Sequence, residues 1–320
     1  MITRRIALGL SAALLPLAGA HAELPEGPIR FIVPFPPGGP GDVAARVLSP
    51  KLSERLRRTV VVENRSGAGG VVGIDAVAKS APDGRTLGFA TVGGLAIAPG
   101  LMTMPFDPMR DLAYVSRIAA IPELLVVNPS LRVRSLAEFL DHARKNPGKL
   151  NIASSGNGSI PHLAIEMLKM QAGIEVVHVP YRGVAPALTD LVGGQVQAMI
   201  ADVSAFIAPV TQGSLRAIAL AAAERLPQLP DVPTTAEAGL ADYEVSNWYG
   251  LIMPGATPAA IVAQVNAAMV ATLQEPAMIR ALSELGATAG ASTPEAFRTF
   301  TQAETARWGS VAKASGARMD

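Results

Sequence analysis

Short β-branched runs alternate with helical patterns along nearly the whole chain, and that alternation restricts the fold more than any other feature. Ile29-Arg30-Phe31-Ile32-Val33 reads as a buried strand. Residues 42–57 follow as a helix, with Val43, Val47, Leu48, Leu52 and Leu56 on one stripe. The same reading predicts strands over 59–62, 86–91 and 124–128, and a helix over 70–79. Ser135 has the chemistry of a helix N-cap, with Glu138 as its reciprocal partner. Strand patterns then recur over 150–153, 176–179, 196–200 and 215–220, with helices over 159–170 and 186–192. Residues 243–253 read as extended and 258–314 as nearly all helical, with fresh helices starting at Pro276 and Pro294. Such alternation predicts an α/β protein with largely parallel sheets.

Residues 1–22 fall outside this pattern. Arg4 and Arg5 precede an apolar run over 6–17, and Ala20-His21-Ala22 places small residues where signal peptidase reads. A cleaved secretory signal is expected, with cleavage after Ala22 and a periplasmic destination; the run is shorter than the ~20 residues that span a bilayer. Thr3-Arg4-Arg5 leaves general and twin-arginine export both open. No Cys exists anywhere, which excludes a lipidated N-terminal cysteine, disulfides, thiolate metal sites and a Cys nucleophile.

The chain has 27 Lys+Arg against 26 Asp+Glu, and removing 1–22 takes away two Arg and no acid, leaving a net charge of −1. A nucleic-acid binder would carry a basic excess. Aromatic residues at 4% are too sparse for stacking platforms. Apolar residues at 49% supply a core far larger than a disordered chain could.

Two boundaries suggest two lobes. One is Asn128-Pro129 after a strand, the other the Pro-rich stretch 226–233. Residues 23–124 with 225–320 are expected to form lobe 1 and 125–224 an inserted lobe 2, hinged by crossing strands near 124–128 and 215–226. A single doubly wound sheet is the alternative.

The informative residues lie in loops that follow strands and precede helices, where open α/β sheets bind ligands. In Pro34-Phe35-Pro36-Pro37-Gly38-Gly39-Pro40-Gly41-Asp42, prolines stiffen the backbone while glycines let it approach a ligand. Its amides suit an anion without any Lys or Arg, and Asp42 is expected to cap the helix. Asn64-Arg65-Ser66-Gly67-Ala68-Gly69-Gly70 and Gly73 imitate a dinucleotide fingerprint with the wrong spacing, and export argues against that cofactor. Arg65 suits an anion or a surface ion pair. Ser154-Ser155-Gly156-Asn157-Gly158-Ser159 leads into a helix bearing Pro161 and His162, and Ser159 is its expected N-cap. His162 suits either an anion or a structural role.

Catalytic patterns are missing. There is no Gly-x-Ser-x-Gly elbow and no Walker A sequence, and His142, His162 and His178 lack metal-ligand spacing. No cofactor and no metal are expected.

The block Pro34-Phe35-Pro36-Pro37-Gly38-Gly39-x-x-Asp42 resembles the signature of the Bug-type receptors of tripartite tricarboxylate transporters. The likeness continues through Val61-Val62-Glu63-Asn64-Arg65, Ala81-Pro82-Asp83-Gly84 and Asn146-Pro147-Gly148-Lys149-Leu150-Asn151. It extends to His178-Val179-Pro180-Tyr181-Arg182-Gly183, Leu191-x-Gly193-Gly194-Gln195-Val196 and Leu229-Pro230-Asp231-Val232-Pro233-Thr234.

The resemblance implies a two-lobed periplasmic binding protein of type II, a Venus flytrap whose lobes are each a mainly parallel sheet flanked by helices. It implies capture of a small organic carboxylate by lobe closure, delivery to membrane permease subunits, and a monomer. Carried over, it points to Phe35, Pro36, Gly38, Gly39 and Asp42 from one lobe. From the other it points to Ser154, Ser155, Asn157, Gly158, Ser159, His162, Tyr181 and Asp202. Asn247 and Trp248 are read as cleft wall or core. The sequence departs from the family at Val92-Gly93-Gly94-Leu95-Ala96, where relatives carry polar side chains, so a ligand less polar than citrate is expected. A receptor feeding a membrane sensor kinase, and a secreted α/β hydrolase, are the rival readings.

Overall fold

A computed structural model describes residues 24–317. The predicted leader over 1–22 and its cleavage after Ala22 lie outside the described residues. Strand β1 (Ile29–Val33) is buried at every position except Arg30. The chain continues through α1 (Pro40–Leu56), β2 (Val60–Asn64), α2 (Val71–Ala78) and β3 (Thr86–Thr91). β1 pairs in parallel with both β2 and β3. After α3 (Ala98–Leu101) comes β4 (Leu112–Val127), sixteen residues long.

A second parallel unit follows: α4 (Leu136–Lys145), β5 (Asn151–Ser154), α5 (Ile160–Ala172), β6 (Val177–Pro180), α6 (Val184–Val192) and β7 (Ala198–Asp202). β5 pairs in parallel with β6 and β7. α7 (Ile207–Thr211) and β8 (Arg216–Leu220) lead to a long connection, then β9 (Ser246–Pro254). The chain ends in α8 (Ala259–Leu273), α9 (Pro276–Glu284), β10 (Thr288–Ala289) and α10 (Pro294–Ser315). Pro276 and Pro294 open their helices as expected, since a first-turn residue needs no N–H donor. Ser135 caps α4 by accepting the Glu138 amide, but the Glu138 carboxylate accepts from the Arg134 amide rather than from Ser135.

β4 is the common member of two sheets. Its residues 112–122 pair antiparallel with β9, and 119–120 with β10. Residues 123–127 pair antiparallel with β7 on one side and 124–127 with β8 on the other. Each half therefore has three parallel strands joined to antiparallel crossing strands, and the whole is a mixed α/β sheet of order β2-β1-β3-β9-β4-β7-β5-β6. The predicted strand 124–128 is only the end of β4. Ser116, Arg117, Pro122 and Glu123 interrupt the apolar pattern upstream and hide a strand whose polar residues are nevertheless enclosed: Ser116 and Glu123 have no exposed surface.

Helices cover both sheet faces. Trp248, Trp308 and Phe297 are fully enclosed where α10 lies against β4 and the turn after β3. Trp248 sits edge-on to Phe297 and Phe300, and its indole N–H donates to Glu304 at 3.0 Å. That makes Trp248 core rather than cleft wall, because a buried indole needs both ring contacts and an acceptor.

Candidate functional site

Strand register places the loops. Thr91, the last residue of β3, is level with Tyr249 of β9, which is level with Ala119 of β4. Asp202, the last residue of β7, is level with Glu123 of the same β4. β3 runs with β4 and β7 runs against it, so the carboxyl ends of the two parallel sets point at each other. Four residue-to-residue steps along β4 separate them, roughly 13 Å of extended chain. The loops after β1, β2 and β3 open onto this gap from one half, and those after β5, β6 and β7 from the other.

The Pro/Gly loop 34–39 is held from behind by Asp42. Gly39, not Asp42, is the N-cap of α1; Asp42 sits one turn in, buried, and its carboxylate reaches back to accept the Gly38 amide at 2.9 Å. The same carboxylate accepts from Arg46 Nε at 2.9 Å and Asn64 Nδ2 at 2.8 Å. Asn64 also donates to the Phe35 carbonyl at 3.0 Å, tying the loop to the end of β2. The Arg46 guanidinium is the main reason the Asp42 carboxyl is lowered to about 2. Asp42 is thus committed inside the protein, and it shapes the loop through Gly38, whose φ of +85° suits glycine. The first intrahelical bond runs from Val43 N–H to Gly39 O, so the amides of Gly39, Gly41 and Asp42 precede the helical ladder. Phe35 is half-buried, with Pro36 and Gly38 exposed on the rim.

Arg65 pairs with Glu63 at 2.6 Å, which is the surface ion pair of its two readings. Gly73 has no room for a side chain: a Cβ there would lie 2.7 Å from the Arg65 carbonyl and 2.8 Å from Pro34. Gly73 thus serves the close packing of α2 on the first loop, while Gly67, Gly69 and Gly70 take the positive φ values that the turn requires. Val92, Leu95 and Ile97 after β3 are buried.

In the opposite half, Ser159 caps α5 as expected, accepting the His162 amide at 3.3 Å. Its hydroxyl donates to Gly156 O at 2.7 Å. Ser154 is fully buried; its Oγ accepts the Gly156 amide at 3.1 Å and lies 2.6 Å from His178 Nε2. The Gly158 amide donates to His162 Nδ1 at 3.1 Å, which leaves the imidazole proton on Nε2. The His162 and His178 rings stack at 4.1 Å. Burial lowers both imidazoles, His178 to about 4, with the neighbouring His162 adding to the effect there. Both are neutral at physiological pH and act as hydrogen-bonding braces for the loop. Ser155 is half-buried and Asn157 exposed at its tip.

Tyr181 and Asp202 stand on the same edge in different ways. The Tyr181 amide donates to Ser154 O, while its phenol donates to Asp190 at 2.8 Å within its own half. Asp202 makes no capping bond to the turn after it; its Oδ2 accepts from Asn247 Nδ2 at 3.2 Å. Sequence reasoning missed Glu123, which faces Asp202 across the β4–β7 ladder. A lone acid in the run Ile121-Pro122-Glu123-Leu124-Leu125 was its only signal. It also missed His178, whose role depends on a stack no spacing reveals. Among the described residues no group of three or more His, Cys, Asp and Glu is placed to hold a metal ion. No helix there is long and apolar enough to cross a membrane.

Two glycine-containing loops at helix starts, opposed across crossing strands, define a two-lobed solute-binding protein of the periplasmic type. The chain belongs to the tripartite tricarboxylate transporter family of receptors, whose profile matches residues 44–317. BugT of Bordetella pertussis is 39% identical over 297 residues, covering 92% of this chain and 91% of BugT. The solved structure of R. palustris Rpa4515 with adipate is similar at a TM-score of 0.84 and 37% identity, covering 93% of this chain and 100% of that one. MatC from Rhodopseudomonas palustris with bound malate gives 0.79 and 33%, covering 90% and 99%. The family is one of periplasmic solute receptors rather than enzymes, which removes the hydrolase reading.

Proposed function

We propose that this receptor captures a small organic carboxylate between the loops 34–39 and 154–159 and presents it to the membrane permease of a tripartite transporter. The observation that carries this reading is the opposition of two carboxyl-end loops across 119–123 of β4, each braced from behind and each ending at a helix start. Backbone amides at such helix starts favour negative charge. Phe35, Pro36, Gly38, Gly39, Ser155, Asn157, Gly158 and Ser159 supply the ligand-facing surface. Asp42, Ser154, His162 and Tyr181 position those loops, and Asp202 stands at the floor.

Residues 23–124 with 225–320 form one lobe in this reading and 125–224 the other, turning about the β4 crossing and the return connection. Closure is stabilised only by a ligand that bridges both lobes, since a ligand shifts an equilibrium by its preference for one state. Export to the periplasm through the leader at 1–22 and action as a monomer complete the scheme. The adipate and malate complexes of relatives support the ligand class. Gly93 and Gly94, in place of polar side chains after β3, favour an apolar linker between the acid groups.

A thermal-shift screen of adipate, malate, citrate and aromatic acids tests the ligand class, because a bound ligand raises the melting temperature by mass action. Adipate is expected to shift it more than citrate. Small-angle scattering with the best ligand is expected to show a smaller radius of gyration; an unchanged profile rejects closure.

A further inference from the structure

Glu123 and Asp202 are direct register partners on antiparallel β4 and β7. Such residues share a sheet face, with Cβ atoms about 4.5–5.5 Å apart. Glu123 has no exposed surface, and neither of its carboxyl oxygens has a hydrogen-bond donor; Asp202 Oδ1 is buried without one as well. Among the described residues the one side-chain donor to the pair is Asn247 Nδ2, at Asp202 Oδ2. Among the described residues no Lys, Arg or His makes an ion pair with either acid.

Two ionised carboxylates cannot share a buried site without a cation: desolvation and mutual repulsion both oppose the second charge. A proton is the missing partner. Asp202 already accepts from an amide and is closer to solvent, so it carries the charge; Glu123, wholly enclosed, carries the proton.

We propose that Glu123 is a neutral carboxylic acid in the folded protein and donates to the Asp202 carboxylate, making the crossing of β4 a proton-binding site filled at neutral pH. Burial, reinforced by the neighbouring Asp202, raises Glu123 well above its ordinary 4.5. The other titratable groups that sense the pair are Tyr243 and Tyr249, buried phenols that stay neutral. β8 carries Arg216, but at the end level with Val127, where it donates to the Val133 carbonyl, and the turn 203–205 carries no charged group. Filled, the site leaves one negative charge at the floor of the gap. Emptied, it sets two carboxylates against each other where three backbone bonds tie Glu123, Ala221 and Val245 together.

Because the proton is held more tightly by the folded than the unfolded chain, its stabilising effect is complete at acid pH and is lost as pH rises through the raised Glu123 value. Infrared spectroscopy of the ligand-free protein tests this directly and does not depend on any carboxylate being its cargo. A protonated-carboxyl C=O stretch is expected near neutral pH, shifting when the glutamates carry ¹³C and fading as the pH is raised. No such band, or one that ignores the glutamate label, overturns the proposal. Glu123→Gln should also flatten the fall of melting temperature from neutral to alkaline pH. A variant that folds yet keeps the wild-type fall overturns it equally, and if the variant fails to fold the labelled wild-type spectrum decides.

Discussion

The amide of Gly38 donates to the carboxylate of Asp42 at 2.9 Å, and that one bond closes the Pro/Gly loop onto the first turn of α1. Replacing Asp42 by Ala strands the Gly38 and Asn64 donors together. A stability loss of about 1–3 kcal/mol is expected in urea titrations, with ligand affinity falling at least roughly tenfold, the equivalent of 1.4 kcal/mol. Asp42 is lowered from 3.8 to about 2, so its contribution is present above 3.8 and is lost as pH falls through about 2. The wild type should therefore lose part of its advantage over the variant in that acid window.

Gly39 separates ligand contact from folding. Its φ is −76°, and a Cβ there would have only the Pro36 carbonyl nearby, at 3.7 Å. Gly39→Ala is expected to change the melting temperature little, while calorimetry with the best acid from the screen shows weakened binding. Unchanged affinity would remove the first loop from the site.

The stacked imidazoles give the opposite loop its own pH response. His178 is lowered from 6.5 to about 4, chiefly by burial, and His162 moves the same way. Their contribution is full above 6.5 and is lost as pH falls toward 4, because the unfolded chain binds those protons more readily. Protonated His162 can no longer accept the Gly158 amide. Acid titration followed by NMR of the two rings should find His178 still neutral at pH 6 and His162 titrating below its ordinary 6.5, and His178→Phe should blunt the fall of melting temperature between 6.5 and 4.

Gly250 sits in β9 between β3 and β4, and a Cβ there would fall 2.0 Å from Phe297 Cζ. Gly250→Ala is expected to destabilise by about 1–3 kcal/mol or more through overpacking. Gly250→Ala with Phe297→Leu should recover part of the loss in thermal melts, since the colliding ring atoms are gone.

Parallel units were legible because their strands are short, mostly apolar runs leading into Gly- and Pro-containing loops: the predicted 29–33 and 86–91 coincide with β1 and β3. Residues 112–123 of β4 were not, since polar groups buried there find their surroundings in segments remote in sequence. Ser116 Oγ accepts from the Ser292 amide at 3.0 Å, and Arg117 stacks over Phe300 at 4.7 Å. Glycine and serine patterns located both loops of the candidate site. They could not tell rim from brace, because the division depends on which way a carboxylate or imidazole turns. Asp42 and His162 turn inward, and Trp248 joins the core for the same reason: its N–H finds Glu304 on α10.

β4 is the middle strand of both sheets, flanked by β9 and β10 before the crossing and by β7 and β8 after it. Neither portion of the molecule is therefore a detachable module. Cutting the gene near residue 123 yields two fragments that each lack part of a shared central rung, so grafting a foreign binding half onto this scaffold would have to carry the entire sixteen-residue strand along with it.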